Sequence, residues 1–130
     1  DEATVRAGME AGIADPSKAR YFIAMHESSV AGRETIAAPA GTLMLTREWS
    51  DWRNGDWWWI QSVYVPPQFR RMGVFTALYR HVEQLARDTP GVVGLRLYVE
   101  RENANALKTY EVLGMTDAGY SILEAEFPTR

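Results

Sequence analysis

Two arginines and a glycine stand where an anion could be held: Arg70-Arg71-Met72-Gly73, followed at once by Val74-Phe75-Thr76. Before them an apolar stretch, Trp57 to Val65, ends at Pro66-Pro67. After them Val74, Phe75, Leu78, Val82 and Leu85 recur at helical spacing. A strand that turns tightly into a helix leaves main-chain N–H groups without partners at the helix start, and these add to the helix dipole and the guanidinium groups. Gly73 lets the backbone approach a ligand closely. The residues that follow exclude a Walker A loop, and a single glycine excludes a dinucleotide fingerprint. A purely structural account also exists: a glycine required by a tight turn, and two solvated arginines.

A second group is Asn103, Ala106, Tyr110 and Gly114. Asn103 and Tyr110 lie seven residues apart, so both fall on one helical face, and the small Ala106 leaves a groove between them. An amide at the helix start and a phenol two turns on can address a ligand lying along that face. The structural account is an N-cap asparagine, a half-buried tyrosine and a C-terminal glycine stop.

The elements that must position these groups follow from the pattern. Residues 2–13 read as a short helix with Val5, Met9 and Ile13 on one face, broken at Asp15-Pro16-Ser17. Tyr21 to Met25 reads as a strand, 26–39 as a long surface turn, and Thr42 to Trp49 as a second strand. Asn54-Gly55 predicts a hairpin joining that strand to Trp57–Val65. A helix over 72–88 ends before Thr89-Pro90-Gly91, and Val93 to Val99 alternates as a strand. A helix follows over 103–113, then a final strand pair or one bent strand over 115–127. The strand–helix–strand unit at 57–99 implies a parallel, right-handed crossover, so the sheet is mixed.

Bulk properties narrow the function. At 130 residues the chain is one domain by length. A formal net charge of −3 argues against general affinity for nucleic acid and for a small or basic partner. The absence of cysteine excludes thiol nucleophiles, disulfides and cysteine zinc sites, and His26 and His81 stand too far apart for a metal-ligand pair. No apolar run approaches a membrane span and no leader is visible, which favours the cytoplasm. The chain opens at Asp1 without a methionine, as a trimmed or processed product would.

The two groups taken together, with a strand between them, resemble the GNAT superfamily of acyl-CoA-dependent N-acetyltransferases. The resemblance covers roughly residues 20–127. It is carried by Val63-Tyr64-Val65-Pro66, by Arg70 through Phe75, and by Asn103 through Gly114-Met115. It implies an α+β fold: a single three-layer α/β/α domain over residues 1–130, with a mixed, mostly antiparallel sheet and one central parallel pair of splayed strands. The strand and helix that usually open this fold have no counterpart in the expected elements, so the resemblance leaves that edge open as missing, disordered or supplied by a partner. The implied reaction transfers an acetyl group from acetyl-CoA, without metal, to a primary amine on a small molecule or protein.

The resemblance assigns roles. The strand main chain over Val63, Tyr64 and Val65 would receive the pantetheine arm. The diphosphate would sit on the loop of Arg70, Arg71, Met72, Gly73, Val74, Phe75 and Thr76. Asn103 would touch the arm, and Tyr110 would face the sulfur as general acid. Two positions depart from the family pattern. Phe75 replaces a usual glycine or alanine and is expected to turn into the core. Many relatives also carry a carboxylate shortly before Val63, where this chain has Trp57-Trp58-Trp59 and then Gln61. The nearest carboxylates are Glu48, the first candidate base, and Asp51, the second; both could equally be solvated hairpin charges. Five tryptophans lie between residues 49 and 59, of which Trp58 or the Trp57/Trp59 pair is expected in the core. The others, Trp49 and Trp52 among them, would with Gln61 line an acceptor site suited to a cation or a flat apolar group. Two other functions fit the same residues: a non-catalytic acyl-CoA sensor, and an interaction module using the tryptophan hairpin. The amine is not named by the sequence, and a homodimer is left open.

Overall fold

The structure is a computed structural model describing residues 1–129. The chain falls into two compact units, Asp1–Tyr98 and Val99–Arg130.

In the first unit, helix α1 (Glu2–Ala14) is followed by strands β1 (Arg20–Ser28), β2 (Ile36–Ser50) and β3 (Gly55–Tyr64), helix α2 (Val74–Asp88) and strand β4 (Val92–Leu97). The strands form one sheet in the order β1-β2-β3-β4, with two antiparallel pairings and a parallel β3–β4 pairing. Asp1 starts α1 by accepting the N–H groups of Ala3 and Thr4 at 2.7 and 3.1 Å. Below it, Asp15 accepts from Ser17 and Lys18, and these bonds push its carboxyl down to about 2. Helix α1 meets β1 at Gly12, where a β-carbon would lie 2.7 Å from the Tyr21 hydroxyl oxygen.

One face of the sheet forms the core. Leu43, Leu45, Trp58 and Ile60 are buried on it, opposite Leu78, Tyr79, Val82 and Ala86 of α2. The repeat 74, 78, 82, 86 turns one stripe of α2 toward the strands. Leu43 and Val82 are the largest fully buried side chains, each worth ~1.5–3 kcal/mol of transfer free energy. Of the tryptophans, Trp58 is the one in the core; Trp57 and Trp59 are half-buried on the opposite face.

The segment 26–39 departs from the expected long turn. Strand β1 runs on to Ser28 and β2 begins at Ile36, so only 29–35 connects them. Pro39 is tolerated because it pairs with Met25 of β1 but lies before the β2–β3 ladder, which starts at Thr42.

In the second unit, α3 (Ala104–Val112) is capped at its start by Asn103, which accepts the Ala106 N–H at 3.1 Å. Its end is a Schellman turn: Gly114 N–H bonds Glu111, Met115 N–H bonds Tyr110, and Gly114 has φ +99°. The final strand expected over 115–127 does not form. An Asp117–Gly119 turn, with Gly119 N–H on the Asp117 carboxylate at 2.7 Å, interrupts the segment, and adjacent Ile122 and Leu123 break the alternation a strand needs. Among the described residues no helix is long and apolar enough to cross a membrane.

Candidate active site

The loop between β3 and α2 begins with a short 3-10 turn, Pro67–Phe69. Pro66 and Pro67 carbonyls accept the N–H groups of Phe69 and Arg70, and the Arg70 Nε donates to the Val65 carbonyl at 3.0 Å. Arg70 is thus a strut across the loop mouth. Arg71 and Gly73 then both adopt left-handed backbone, at φ 62° and 77°. The Ala77 N–H then reaches the Gly73 carbonyl at 3.0 Å. Among the described residues, the main-chain N–H groups of Arg71, Met72, Gly73, Val74 and Thr76 have no acceptor. Successive amides through a left-handed loop onto a helix N-terminus make a concave set of donors suited to phosphate oxygens. A β-carbon on Gly73 would meet nothing within 4 Å, so dihedral freedom, not crowding, is what glycine supplies there. Phe75 turns inward as expected, packing edge-on against buried Tyr79 at 6.2 Å.

Strand β3 changes course just before this loop. Ile60 pairs with Leu45 of β2 and Ser62 with Met44, so Gln61 is an extra residue, a β-bulge. The parallel ladder to β4 ends at the same place, with Ile60 opposite Leu97. Beyond it β3 continues to Tyr64 paired to β2 alone. A bulge bends the strand that carries it, which accounts for the parting of β3 from β4 at this point. The result, within the first unit, is a strand edge over 61–64 from which β4 has withdrawn, leading directly into the donor loop. Gln61 is exposed, and its Oε1 accepts from the Thr46 hydroxyl at 3.2 Å, which leaves the amide N–H groups as donors.

The hairpin end of β3 is built differently. The Glu48 carboxylate pairs with Arg96 of β4 at 3.0 Å. The Arg96 guanidinium lies 3.9 Å from the Trp57 ring centroid, and Trp59 stacks beside Tyr98 at 4.5 Å. Gly94 makes this possible: a β-carbon there would come within 2.6 Å of the Trp57 ring. Asp51 accepts the Trp52 N–H in the turn at 2.9 Å, and the Trp49 indole donates to Asn54 at 3.4 Å. Trp49 and Trp52 are exposed on the hairpin, Trp52 to 91%.

In the second unit Tyr110 is half-buried on α3, and that burial raises its hydroxyl pKa above the ordinary value. Asn103 is exposed, with its side-chain oxygen on the cap and its amide nitrogen still a donor. Among the described residues, no group of three or more His, Cys, Asp or Glu side chains is placed to hold a metal ion.

The family model of the GNAT acetyltransferases matches residues 5–115. The chain belongs to the GNAT acetyltransferase family. A thialysine N-epsilon-acetyltransferase of Caenorhabditis elegans is 36% identical over 75 residues, 58% of this chain but only 46% of that protein. A solved structure of a possible acetyltransferase from Clostridium difficile 630 superposes with a TM-score of 0.81 at 35% identity, over 99% of this chain and 79% of the other. A putative acetyltransferase from Pyrococcus furiosus gives a TM-score of 0.70 at 23% identity, over 98% of this chain and 76% of the other, and so shares the fold.

Within this GNAT chain, the loop residues Arg70–Thr76, the β3 residues Val63 and Tyr64, and Val65 just after the strand fall together at one end of the sheet. Glu48 and the hairpin residues Trp49, Asp51 and Trp52 fall at the other end of β3, and Gln61 lies between. Sequence reasoning missed Arg96. Its partner is 48 positions away, and only the combined registers of β2, β3 and β4 bring the two together. The alternation at 93–99 did mark its side chain as facing away from the core.

Proposed function

We propose that this chain is an N-acetyltransferase that carries an acetyl group from acetyl-CoA to a primary amine by direct attack in a ternary complex. The observation that carries this reading is the run of unaccepted amides at Arg71–Val74 and Thr76, placed where β3 has just parted from β4. Amides of that kind fit a diphosphate, and the freed strand edge fits an amide-bearing arm laid alongside it. Arg70 and Arg71 add charge, and Asn103 offers its amide to the arm.

A primary alkylammonium has a pKa of ~10 and must lose a proton before it can attack. Glu48, or second to it Asp51, takes that proton through water. A main-chain N–H over Val63–Val65 steadies the oxyanion. Tyr110, kept protonated by its burial, donates to the departing thiolate. Trp49, Trp52 and Gln61 border the acceptor. The named acceptor of the Caenorhabditis elegans relative, the ε-amine of thialysine, supports an amino-acid side-chain amine as the acceptor class.

A second reading is an acyl-CoA-binding module without turnover. The ion pair between Glu48 and Arg96 favours it, because a proton arriving at Glu48 weakens that pair. Thiol release from acetyl-CoA, followed across a panel of primary amines, separates the two. Amine-dependent release is expected. Tight acetyl-CoA binding with no release for any amine would leave the binding module.

A further inference from the structure

The solvent-side face of the first unit's sheet carries one cation and one anion held together on an aromatic shelf. Arg96 and Glu48 pair at 3.0 Å with side chains 26% and 49% exposed, so both reach solvent. The Arg96 guanidinium carbon lies 3.9 Å from the Trp57 ring centroid, within cation–π range. One of five donors is engaged by Glu48. Four of the five guanidinium donors are therefore left for a further acceptor such as the α-carboxylate of an amino acid.

Position makes this more than a surface ion pair. The guanidinium sits at the level of Trp57, three residues before Ile60, where the β3–β4 ladder ends. At ~3.3 Å per residue that is about 10 Å from the point where the strands part. A hydrogen bond of ~2.9 Å to a carboxylate, plus about 7 Å for a four-atom spacer at bond lengths near ~1.5 Å, spans that distance. Trp59 and Tyr98 stack on the same face and give the spacer an apolar track.

We infer that Arg96 selects the acceptor: it binds the α-carboxylate of a free diamino acid of lysine length, so that the distal amine lies where β3 leaves β4. This rests on the acetyl-transfer reading above and adds which end of the acceptor is read. With the distal amine about 10 Å from the guanidinium, Glu48 beside Arg96 receives its proton through a chain of waters rather than directly. The test compares kcat/KM for thialysine, its α-carboxamide and an α,ω-diamine of equal length. The free acid is expected to exceed the amide by about tenfold or more, mainly through KM, as loss of one charge-assisted contact implies. In Arg96→Gln that ratio falls to within about threefold, and Arg96→Lys restores part of it. Equal rates for acid and amide in the unaltered protein would overturn the inference and leave acetyl transfer standing. An unchanged ratio in Arg96→Gln would overturn it as well. Acetylation of none of the three, with thiol release for another primary amine, would overturn the inference alone; release for no amine would overturn both readings.

Discussion

The two ends of β3 obey opposite rules. At the hairpin end nearly every polar group has a partner: Glu48 has Arg96, Asp51 has the Trp52 N–H, the Trp49 indole has Asn54, and the Asp56 N–H has the Gly91 carbonyl at 2.7 Å. At the loop end five main-chain N–H groups have no acceptor among the described residues, and Arg71 and Gly73 hold left-handed backbone among them. The amides before and in the first turn of a helix have no intrahelical acceptor, and here they lie open to solvent or to a ligand. The difference frames the proposal: on that reading the satisfied end serves as scaffold and recognition surface, and the loop end receives the ligand's acceptors.

The largest effect should come from chemistry outside β3. Tyr110→Phe is expected to lower kcat by ~10²-fold or more, as for loss of a general acid, while acetyl-CoA affinity measured by calorimetry hardly moves. Equal loss in both would remove the acid role. The pH dependence has a definite sign. Burial raises the Tyr110 hydroxyl above its ordinary 10.0, so the protonated, donating form persists through neutral pH and is lost only on the alkaline side. A Tyr110-dependent decline in kcat beginning below that value would contradict the assignment.

Two glycines then sharpen the contrast between the ends. Gly73→Val forces a β-branched residue into φ +77°, at a cost of ~1–2 kcal/mol, and turns the amide set out of line. Acetyl-CoA affinity is expected to fall about tenfold, the equivalent of ~1.4 kcal/mol. Gly55→Ala would place a β-carbon 2.5 Å from a Val93 methyl and 2.7 Å from the Gly91 carbonyl. It should lower stability by ~1–3 kcal/mol, as overpacking does, with the affinity of the folded fraction unchanged. A Gly55 variant that selectively lost acetyl-CoA binding would erase the distinction between scaffold end and ligand end.

Much of this was legible in the sequence because it is local. The recurrence of Val74, Phe75, Leu78, Val82 and Leu85 announces α2, Asn54-Gly55 the hairpin, and Gly114 the end of α3. What escaped depends on pairing. Pro39 looked like a breaker, yet it is harmless at a strand position whose other side is unpaired. The alternation after Met115 looked like a strand, yet the Asp117–Gly119 turn and the Ile122-Leu123 doublet defeat it. The bulge at Gln61 leaves no local signature at all, because it is a mismatch between two registers. The same holds for the partnership of Arg96 with Glu48.

Arg71 offers the finest test of the loop end, because there strain and binding should respond with opposite signs. It holds φ 62° without being glycine, a conformation that costs ~1–3 kcal/mol unless the surroundings impose it. No described residue pairs with its guanidinium. Nothing inside the first unit therefore rewards the arginine for that backbone. In Arg71→Gly the strain is relieved, and stability by denaturant midpoint should hold or rise by ~1 kcal/mol. Acetyl-CoA affinity at low salt should fall by about fivefold to tenfold, because a charge-assisted phosphate contact is lost. The gap between the two proteins should narrow as salt shortens the screening length from ~10 Å at 0.1 M toward ~3 Å at 1 M. If stability and affinity fell together, Arg71 would be a structural residue of the turn. The strained loop would then be explained by folding alone and not by the anion it is shaped to meet.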